Sequence, residues 1–343
     1  MGRLEKLTAR QTRRLLARER EVQREVFRQY GLALGDSERE LRRLNQLIAQ
    51  AIDTGQTVDE KWLLRQASYQ RWLGLTRSEL ARYTARLAPL LVDLQDAHAR
   101  QALDDAHDLI AAAIGTERQM VSAGVSFRVP PADVVAQAVG QAMDGTPLYD
   151  LLKVAAGDSA DAARDALIRG VIEGKGPRHI GREIRKATRI SRDRAVLIAR
   201  QESLGAYRAV TSQTFQSNPQ VVKTWVWTAA LDRRTCSVCW AQHGTEHPIA
   251  ETLASHIGCR CAMVPQTVSW KDLGIDLPDN RASIRTGAEL FDELPSADQL
   301  AILGRGKLDA YNAGKITLDD LVQPTRSKRW GPGLRERTLR ELV

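Results

Sequence analysis

The sequence has no apolar run of the length that a membrane-spanning helix needs, and we expect no signal peptide. It is charged from residue 3 onward, so we expect a soluble protein made in the cytoplasm. Aromatic residues make up 5% of the chain and few lie among its basic segments, so a surface that stacks bases is not indicated. No repeat of fixed period and no low-complexity segment is present. The hydrophobic content of 43% is that of an ordinary globular chain.

Cysteine is scarce, but its four residues, Cys236, Cys239, Cys259 and Cys261, all lie within 26 positions. They form a C-x-x-C pair, a gap, and an H-x-x-C-x-C segment that begins at His256. A C-x-x-C turn brings two thiolates to one side of a tight turn, which is a common half-site for tetrahedral zinc. The pattern therefore predicts a structural zinc site that stabilises this part of the chain.

The second half-site offers three candidate ligands, of which two are needed. If Cys259-Arg260-Cys261 is extended, both sulfurs point to one face and Arg260 points to the other. That arrangement gives a four-cysteine site with His256 beside it. A site of three cysteines and His256, which uses only one of the two later cysteines, agrees with the sequence almost as well.

Other uses of the four cysteines fit less well. Two disulfides need an oxidising compartment, of which the sequence gives no sign, and a chain of this size needs no cross-links. Four buried free thiols would not explain the clustering. A redox C-x-x-C is expected in a βαβ context, which the flanking segments do not supply.

The segment between the half-sites makes a zinc-dependent nucleic-acid-binding protein, nuclease or toxin the main alternative, because it holds His243, Glu246, His247 and Glu251. A zinc deaminase is not indicated, since Thr235 stands where its signature has proline. Cysteine and histidine fill every plausible metal position, and a catalytic zinc keeps one position open. We therefore expect a closed site and no enzymatic activity.

The net charge of +8 is concentrated in three segments. Residues 1–30 hold nine lysines and arginines against four acids, and residues 320–343 hold six against three. The segment Lys175–Arg194, which we call the basic island, holds eight against two. Positive segments on an otherwise neutral chain favour an acidic partner, such as DNA or an acidic protein surface. Any single basic segment is at least as often only a solvated helix face as a binding surface.

The hydrophobic period is helical from Arg3 to about Phe215. Within the basic island it predicts two helices, 177–187 and 191–216, joined at Ile190-Ser191. Strands are predicted at 221–228 and 261–264, on either side of the cysteines. Helices are predicted again at 296–303, 306–313 and 317–322, followed by a basic tail. The expected fold is mainly α, with a long helical amino-terminal part, a small zinc-stapled α+β unit and a helical carboxy-terminal tail.

The region around the cysteines resembles the phage Mu F-like minor head proteins, also called phage head morphogenesis proteins. The resemblance covers about 160–340, and its lead-in, Gly174–Ala209, carries an Ile-Ala-Arg-x-Glu signature that ends at Glu202. The family often places prolines directly before the histidine, where this chain has Leu253-Ala254-Ser255. The residues that match the family pattern around the cysteines are Trp225, Trp227, Thr228, Asp232, Arg234, Thr235, Cys236, Cys239, Gly244, His256, Cys259, Arg260, Cys261 and Pro265.

The resemblance implies a minor capsid protein of a tailed phage or prophage, located in the virion. It implies association with the portal protein and the capsid interior, and a role in head assembly and in DNA packaging or delivery. We divide the chain into a helical amino-terminal region at 1–145, a Mu F-like domain with the cysteine cluster at 146–270, and a helical carboxy-terminal region at 271–343. Neither a membrane nor a small-molecule substrate is expected as a partner. Packaged DNA is a possible partner of the basic segments.

Overall fold

The computed structural model describes residues 3–115, 119, 124, 126–131, 133–142, 145–276, 284–327 and 331–342. Helices account for most of this part of the chain, which confirms the predicted mainly α fold. The helices are α1 (Arg3–Ala33), α2 (Gly35–Asp53), α3 (Glu60–Leu64), α4 (Ala67–Ile114), α5 (Asp133–Gln137), α6 (Leu148–Ile172), α7 (Pro177–Gln216), α8 (Ser237–Gln242), α9 (Gly287–Asp292), α10 (Ser296–Leu303) and α11 (Arg305–Asn312). The strands are β1 (Val222–Thr228), β2 (Glu246–Pro248), β3 (Ala262–Thr267), β4 (Val322–Ser327) and β5 (Gly331–Glu336).

The chain forms two compact units that are interleaved along the sequence. The cysteine unit comprises residues 1–17, 95–145 and 201–343, and the helical unit comprises residues 18–94 and 146–200. The division into regions 1–145, 146–270 and 271–343 stays a prediction. Among the described residues, none of the helices combines the length and the hydropathy that a membrane span requires.

The helical unit is held together by apolar faces with a helical period. Leu41, Leu44 and Ile48 lie on one face of α2 and are buried in a cluster with Trp72 of α4 and Leu167 of α6. Burial of such side chains contributes about 1.5–3 kcal/mol each. This burial explains why a chain with so many charged residues still folds as packed helices.

Helix α7 is one uninterrupted helix of 40 residues, so the predicted break at Ile190-Ser191 is wrong. Ala187, Ser191 and Ala195 are spaced four residues apart and are all buried, which makes one continuous stripe through the expected junction. Pro177 lies in the first turn, where its missing N–H breaks no helical hydrogen bond. Neither isoleucine nor serine is a strong helix breaker, and the buried stripe outweighs their modest helix propensity.

The cysteine unit contains a three-stranded antiparallel sheet with the order β2-β1-β3. Its central strand β1 matches the predicted strand closely, because β-branched residues alternate there with Trp225 and Trp227. Both tryptophans are buried, with Trp225 opposite His247 on one neighbour and Pro265 on the other. The sheet fixes the segments that carry the two cysteine pairs.

The carboxy-terminal region contains the predicted helices α10 and α11, and a 3₁₀ turn, Asp319–Leu321, within the third predicted segment. These elements share a core with Trp240 and Phe291. The sequence did not indicate the antiparallel hairpin of β4 and β5, which pairs Val322 with Glu336 at its base. Part of the predicted basic tail is therefore a hairpin, and Lys307 of α11 donates to the Glu336 carboxylate at 2.5 Å.

Candidate metal centre

The first cysteine pair lies at the start of α8. Cys236 is the residue before the first helical residue, and its carbonyl accepts from Trp240 N–H at 3.0 Å. Cys239 follows three residues later, so both sulfurs project to the same side of the first turn. The preceding turn is closed by Asp232, whose N–H donates to Thr235 Oγ1 at 3.0 Å and whose carboxylate accepts from Arg234 N–H at 3.0 Å. The helix start therefore preorganises the first half-site.

The second half-site is a tight turn that leads into β3. The carbonyl of His256 accepts from Cys259 N–H at 3.1 Å, and Gly258 has φ of +76°. Glycine adopts this left-handed backbone conformation without steric cost. Cys261 N–H donates to Cys259 Sγ at 3.4 Å, which favours the thiolate form of Cys259.

The structure brings all five predicted ligands together in two groups that share Cys239. The ligand atoms of Cys236, Cys239 and His256 lie within 4.8 Å of one another, and so do those of Cys239, Cys259 and Cys261. His256 Nε2 is 3.2 Å from Cys236 Sγ and 3.1 Å from Cys239 Sγ, and the Cys239 and Cys259 sulfurs are 3.9 Å apart. Zinc–sulfur bonds of about 2.3 Å in a tetrahedron place two sulfurs about 3.8 Å apart. The spacing therefore suits a metal, and all four cysteines are free thiols.

His256 presents the correct nitrogen to the cluster. Its Nδ1 lies 2.9 Å from the carbonyl oxygen of Ile257. A carbonyl can only accept, so Nδ1 carries a proton and donates. The remaining nitrogen, Nε2, then has its lone pair available for a metal in the neutral ring, as in metal sites whose histidines are oriented by a backbone carbonyl.

The protons of the metal-free cluster are shared between sulfur and nitrogen. Hydrogen bonds from Cys239 and then His256 lower the pKa of Cys236 to about 4. The hydrogen bond to Cys236, followed by that to Cys259, raises the pKa of His256 to about 10. The cluster thus pairs thiolate with imidazolium, and a divalent metal would replace the imidazolium proton.

Two arginines fix the second half-site. Arg260 donates to both carboxylate oxygens of Asp232, at 2.7 and 2.6 Å, and so connects the turn before Cys236 to the segment between Cys259 and Cys261. This ion pair lowers the pKa of Asp232 well below its usual range. Arg208 of α7 donates to the carbonyls of Cys259 and Cys261, at 3.0 and 2.9 Å. The sequence pattern predicted that an extended Arg260 points to the face opposite the two sulfurs, but it gave no sign of Arg208, which lies about 50 residues upstream.

The cluster lies at the edge of an apolar core. Cys239, Cys259 and Cys261 are buried in one cluster with Trp227 and Met263, whereas Cys236 and His256 are partly exposed. A cavity of about 20 Å³ lies among the four cysteines and His256. That volume holds roughly one small atom or ion. The donor set, the spacing and the cavity together show a cluster that could hold a metal ion.

The histidines between the half-sites do not join the cluster. His243 is buried, its Nδ1 accepts from Ala229 N–H at 3.0 Å, and burial lowers its pKa. His247 stacks on Trp225 with ring centroids 4.3 Å apart. Its Nε2 lies 2.9 Å from Thr245 Oγ1, but that hydroxyl donates its proton to the Gln242 carbonyl at 2.7 Å. Thr245 therefore does not donate its proton to His247, as a nucleophile hydrogen-bonded to a general base would.

The protein is thus mainly helical, with a small antiparallel sheet and a cysteine–histidine cluster. Residues 161–264 match the family model described as Phage Mu protein F like protein. The match begins within α6, ends within β3 and includes every residue of the cluster. It confirms the predicted assignment to the phage Mu F-like family and supports a phage head morphogenesis protein. No curated protein and no solved structure gives a significant match.

Proposed function

We propose that this chain is a minor capsid protein of a tailed phage or prophage, associated with the portal protein and the capsid interior. It acts in head assembly and in DNA packaging or delivery, and it is located in the virion. The observation that carries this proposal is the family match over residues 161–264, which encloses the complete cysteine–histidine cluster.

The cluster binds one structural Zn²⁺ in this proposal. Cysteine thiolate and histidine imidazole are the ligands that structural zinc prefers. The candidate ligands come from the start of α8, from the turn at His256 and from the segment before β3, so one ion connects three parts of the cysteine unit. No reaction is proposed. The contacts of His243 and His247 support this choice, since each ring is engaged with its own neighbours in the sheet region.

The basic island supplies a surface for DNA in the head. Four of its bases have acidic partners within 4.0 Å: Lys175 with Glu173, Lys186 with Glu183, Arg192 with Asp193 and Arg194 with Asp158. Among the described residues, no acid pairs with the other four, which we call the arginine stripe. The stripe consists of Arg178, Arg182, Arg185 and Arg189, all exposed on α7.

The spacing of the arginine stripe suits an extended anionic partner. Steps of four, three and four residues place the side chains along one face, over about 16 Å of helix axis. No large exposed apolar side chain lies between Arg178 and Arg189, whereas the centre of a protein interface is apolar. The guanidinium group matches phosphate oxygens in a bidentate geometry. We therefore favour the phosphate backbone of DNA over an acidic face of the portal protein as the partner of this stripe.

The location in the head is tested with the phage or prophage that encodes the chain. Heads purified from an induced lysate should contain the chain after their tails are removed, and an in-frame deletion should reduce the yield of DNA-filled heads or of infectious particles. A deletion of the same gene complemented in trans is the control. Absence of the chain from purified heads, together with a normal yield of infectious particles from the deletion, would contradict the proposal.

The alternative, a zinc-dependent nuclease or toxin, is tested on the purified zinc-loaded chain. We expect no cleavage of DNA or RNA with zinc, magnesium or manganese. Cleavage that His247→Ala abolishes while the melting temperature is retained would favour the alternative instead.

A further inference from the structure

An exposed aromatic ring of α1 lies beside the basic island on α7. Phe27 is 43% exposed, and the guanidinium carbon of Arg192 lies 4.9 Å from the centroid of its ring. Both residues belong to the helical unit. Phe27 comes from the basic segment 1–30 and Arg192 from the basic island, so the fold joins an aromatic ring to two positive segments that are far apart in the sequence.

The surroundings of Arg192 hold its guanidinium group in place. The group also lies 5.7 Å from the centroid of the Tyr30 ring, and it donates to the Asp193 carboxylate at 2.8 Å. Tyr30 is fixed in turn, because its hydroxyl donates to Thr188 Oγ1 at 2.9 Å and its ring meets the buried Tyr83 edge-on, with centroids 5.7 Å apart. A ligand that stacks here would therefore cost little further side-chain freedom.

The ring lies at the end of the arginine stripe. Arg192 follows Arg189 by three residues, which places it on the same face of α7 as the stripe. Tyr30 contacts Thr188. Phe27, three residues earlier in α1, contacts Arg192, four residues later in α7. The two helices therefore run antiparallel here, and the earlier residues of α1 lie beyond the end of the stripe.

Helix α1 continues the positive path on the other side of the ring. Arg20 and Arg24 precede Phe27 by seven and three residues, so they lie on the same face of α1, over about 10 Å of helix axis. Both side chains are exposed, and we call them the α1 arginines. Phe27 is thus an exposed ring between the arginine stripe and the α1 arginines.

The acids of this part of α1 leave the α1 arginines unpaired among the residues that the structure describes. Glu25 pairs with Arg28, and Glu19 pairs with Arg200. Glu21 lies six residues before Phe27, which places it about 120° away around the helix. The face that carries Phe27 therefore keeps its positive charge.

Positive side chains on both sides of an exposed aromatic ring suit single-stranded nucleic acid, in which phosphates follow the charges and a base stacks on the ring. Inside a duplex, neighbouring bases cover both faces of each base, whereas an unpaired base has a free face. We propose that Phe27, with Arg192, stacks one base of single-stranded DNA whose phosphates contact the arginine stripe and the α1 arginines. This site rests on the DNA contact proposed for the stripe, and it adds the form of DNA that is preferred.

The stacking site is tested with a labelled single strand and a blunt duplex of the same length. Phe27→Leu keeps an apolar side chain but removes the ring. We expect it to raise the dissociation constant for the single strand at least about fivefold, as loss of one stacked base does, and to leave the constant for the duplex unchanged. Phe27→Tyr keeps the ring and should bind both forms as the wild type does. Fluorescence anisotropy measures these constants, and circular dichroism checks that the variants fold.

Photo-crosslinking tests the same site on the wild-type chain, independently of any variant. A single strand with 5-iodouracil placed at successive positions should crosslink to Phe27 under ultraviolet light, and mass spectrometry of the peptides should locate the bond. Crosslinks confined to other parts of the chain would overturn the stacking site.

The results separate this site from the DNA contact on which it rests. If the wild type binds single strand and duplex and Phe27→Leu binds both as tightly, the stripe keeps its role and the stacking site is overturned. The same conclusion follows if Phe27→Leu weakens both forms equally. A wild-type chain that binds neither form would contradict the DNA role of the stripe and the stacking site with it.

Discussion

At the scale of single residues, the cysteine unit depends on a few side chains that fix backbone turns. Asp232 closes the turn before Cys236 and, through Arg260, also holds the second half-site. Gly258 supplies the left-handed backbone of the turn between His256 and Cys259. These residues determine where the candidate ligands lie before any metal arrives, so their replacement is expected to act on stability and on metal affinity together.

Gly258 gives a prediction at this scale. Gly258→Ala should lower the free energy of unfolding of the zinc-loaded chain by about 1–2 kcal/mol, because an L-residue with a side chain is strained in the left-handed region. A Cβ at this position would meet no atom within 4 Å, so the cost is in the backbone alone. Gly258→Asn is the matched control and should lose less, since asparagine tolerates this conformation. Equal losses in urea denaturation would contradict the backbone explanation.

Sequence reasoning found the members of the cysteine–histidine cluster because their spacing is local. Cys236 and Cys239 lie within one helical turn, and His256, Cys259 and Cys261 lie within six consecutive residues. The structure brings both segments together in one cluster. Arg208 could not be found in this way, since its contact with Cys259 joins residues 51 positions apart and depends on how α7 packs. Long-range contacts of this kind leave no periodic signal.

At the scale of elements, the local hydrophobic pattern of the sequence predicted helices and strands well wherever the buried residues followed that pattern. Strand β1 and helix α10 lie almost where they were expected. The junction at Ile190-Ser191 was wrong because the buried face of α7 continues through it. The hairpin of β4 and β5 was missed because its strands contain Pro324 and Gly333 and lack an alternating apolar pattern, so strand pairing rather than propensity forms them.

The arginine stripe on α7 gives a prediction about the salt dependence of DNA binding. If its four side chains contact phosphates, log K for duplex DNA should fall with log salt with a slope of about −3.6, which is an affinity loss of about 150-fold from 50 to 200 mM salt. Each single arginine-to-glutamine change should make the slope about one unit shallower, whatever the DNA sequence. Fluorescence anisotropy over a range of salt measures this slope.

A control with the same change of charge separates the stripe from net charge. Four exposed arginines elsewhere are already paired with an acid: Arg28, Arg39, Arg77 and Arg100. The quadruple glutamine variant of these residues should bind DNA nearly as the wild type does, whereas the quadruple variant of the stripe should lose the salt dependence. If the two quadruple variants lost the same DNA affinity, the loss would be a general effect of net charge, which would contradict the role of the arginine stripe.

At the scale of the whole molecule, the two compact units have different means of stabilisation. The helical unit buries leucine, isoleucine and tryptophan side chains between helices. The cysteine unit has an apolar core as well, but three of its buried core residues are cysteines of the cluster. In the metal-free chain these polar side chains and His256 have no ion that connects them. We therefore expect zinc to stabilise the cysteine unit far more than the helical unit.

Zinc binding by the cysteine unit is the central claim, and native mass spectrometry with hydrogen exchange tests it most directly. Protein purified without added metal should carry one zinc ion per chain, and a chelator should remove it. Its removal should abolish exchange protection in β1 and β3, while the helices of the helical unit keep theirs. A chain that carries no metal, or one whose protection in β1 and β3 is the same with and without zinc, would contradict the account.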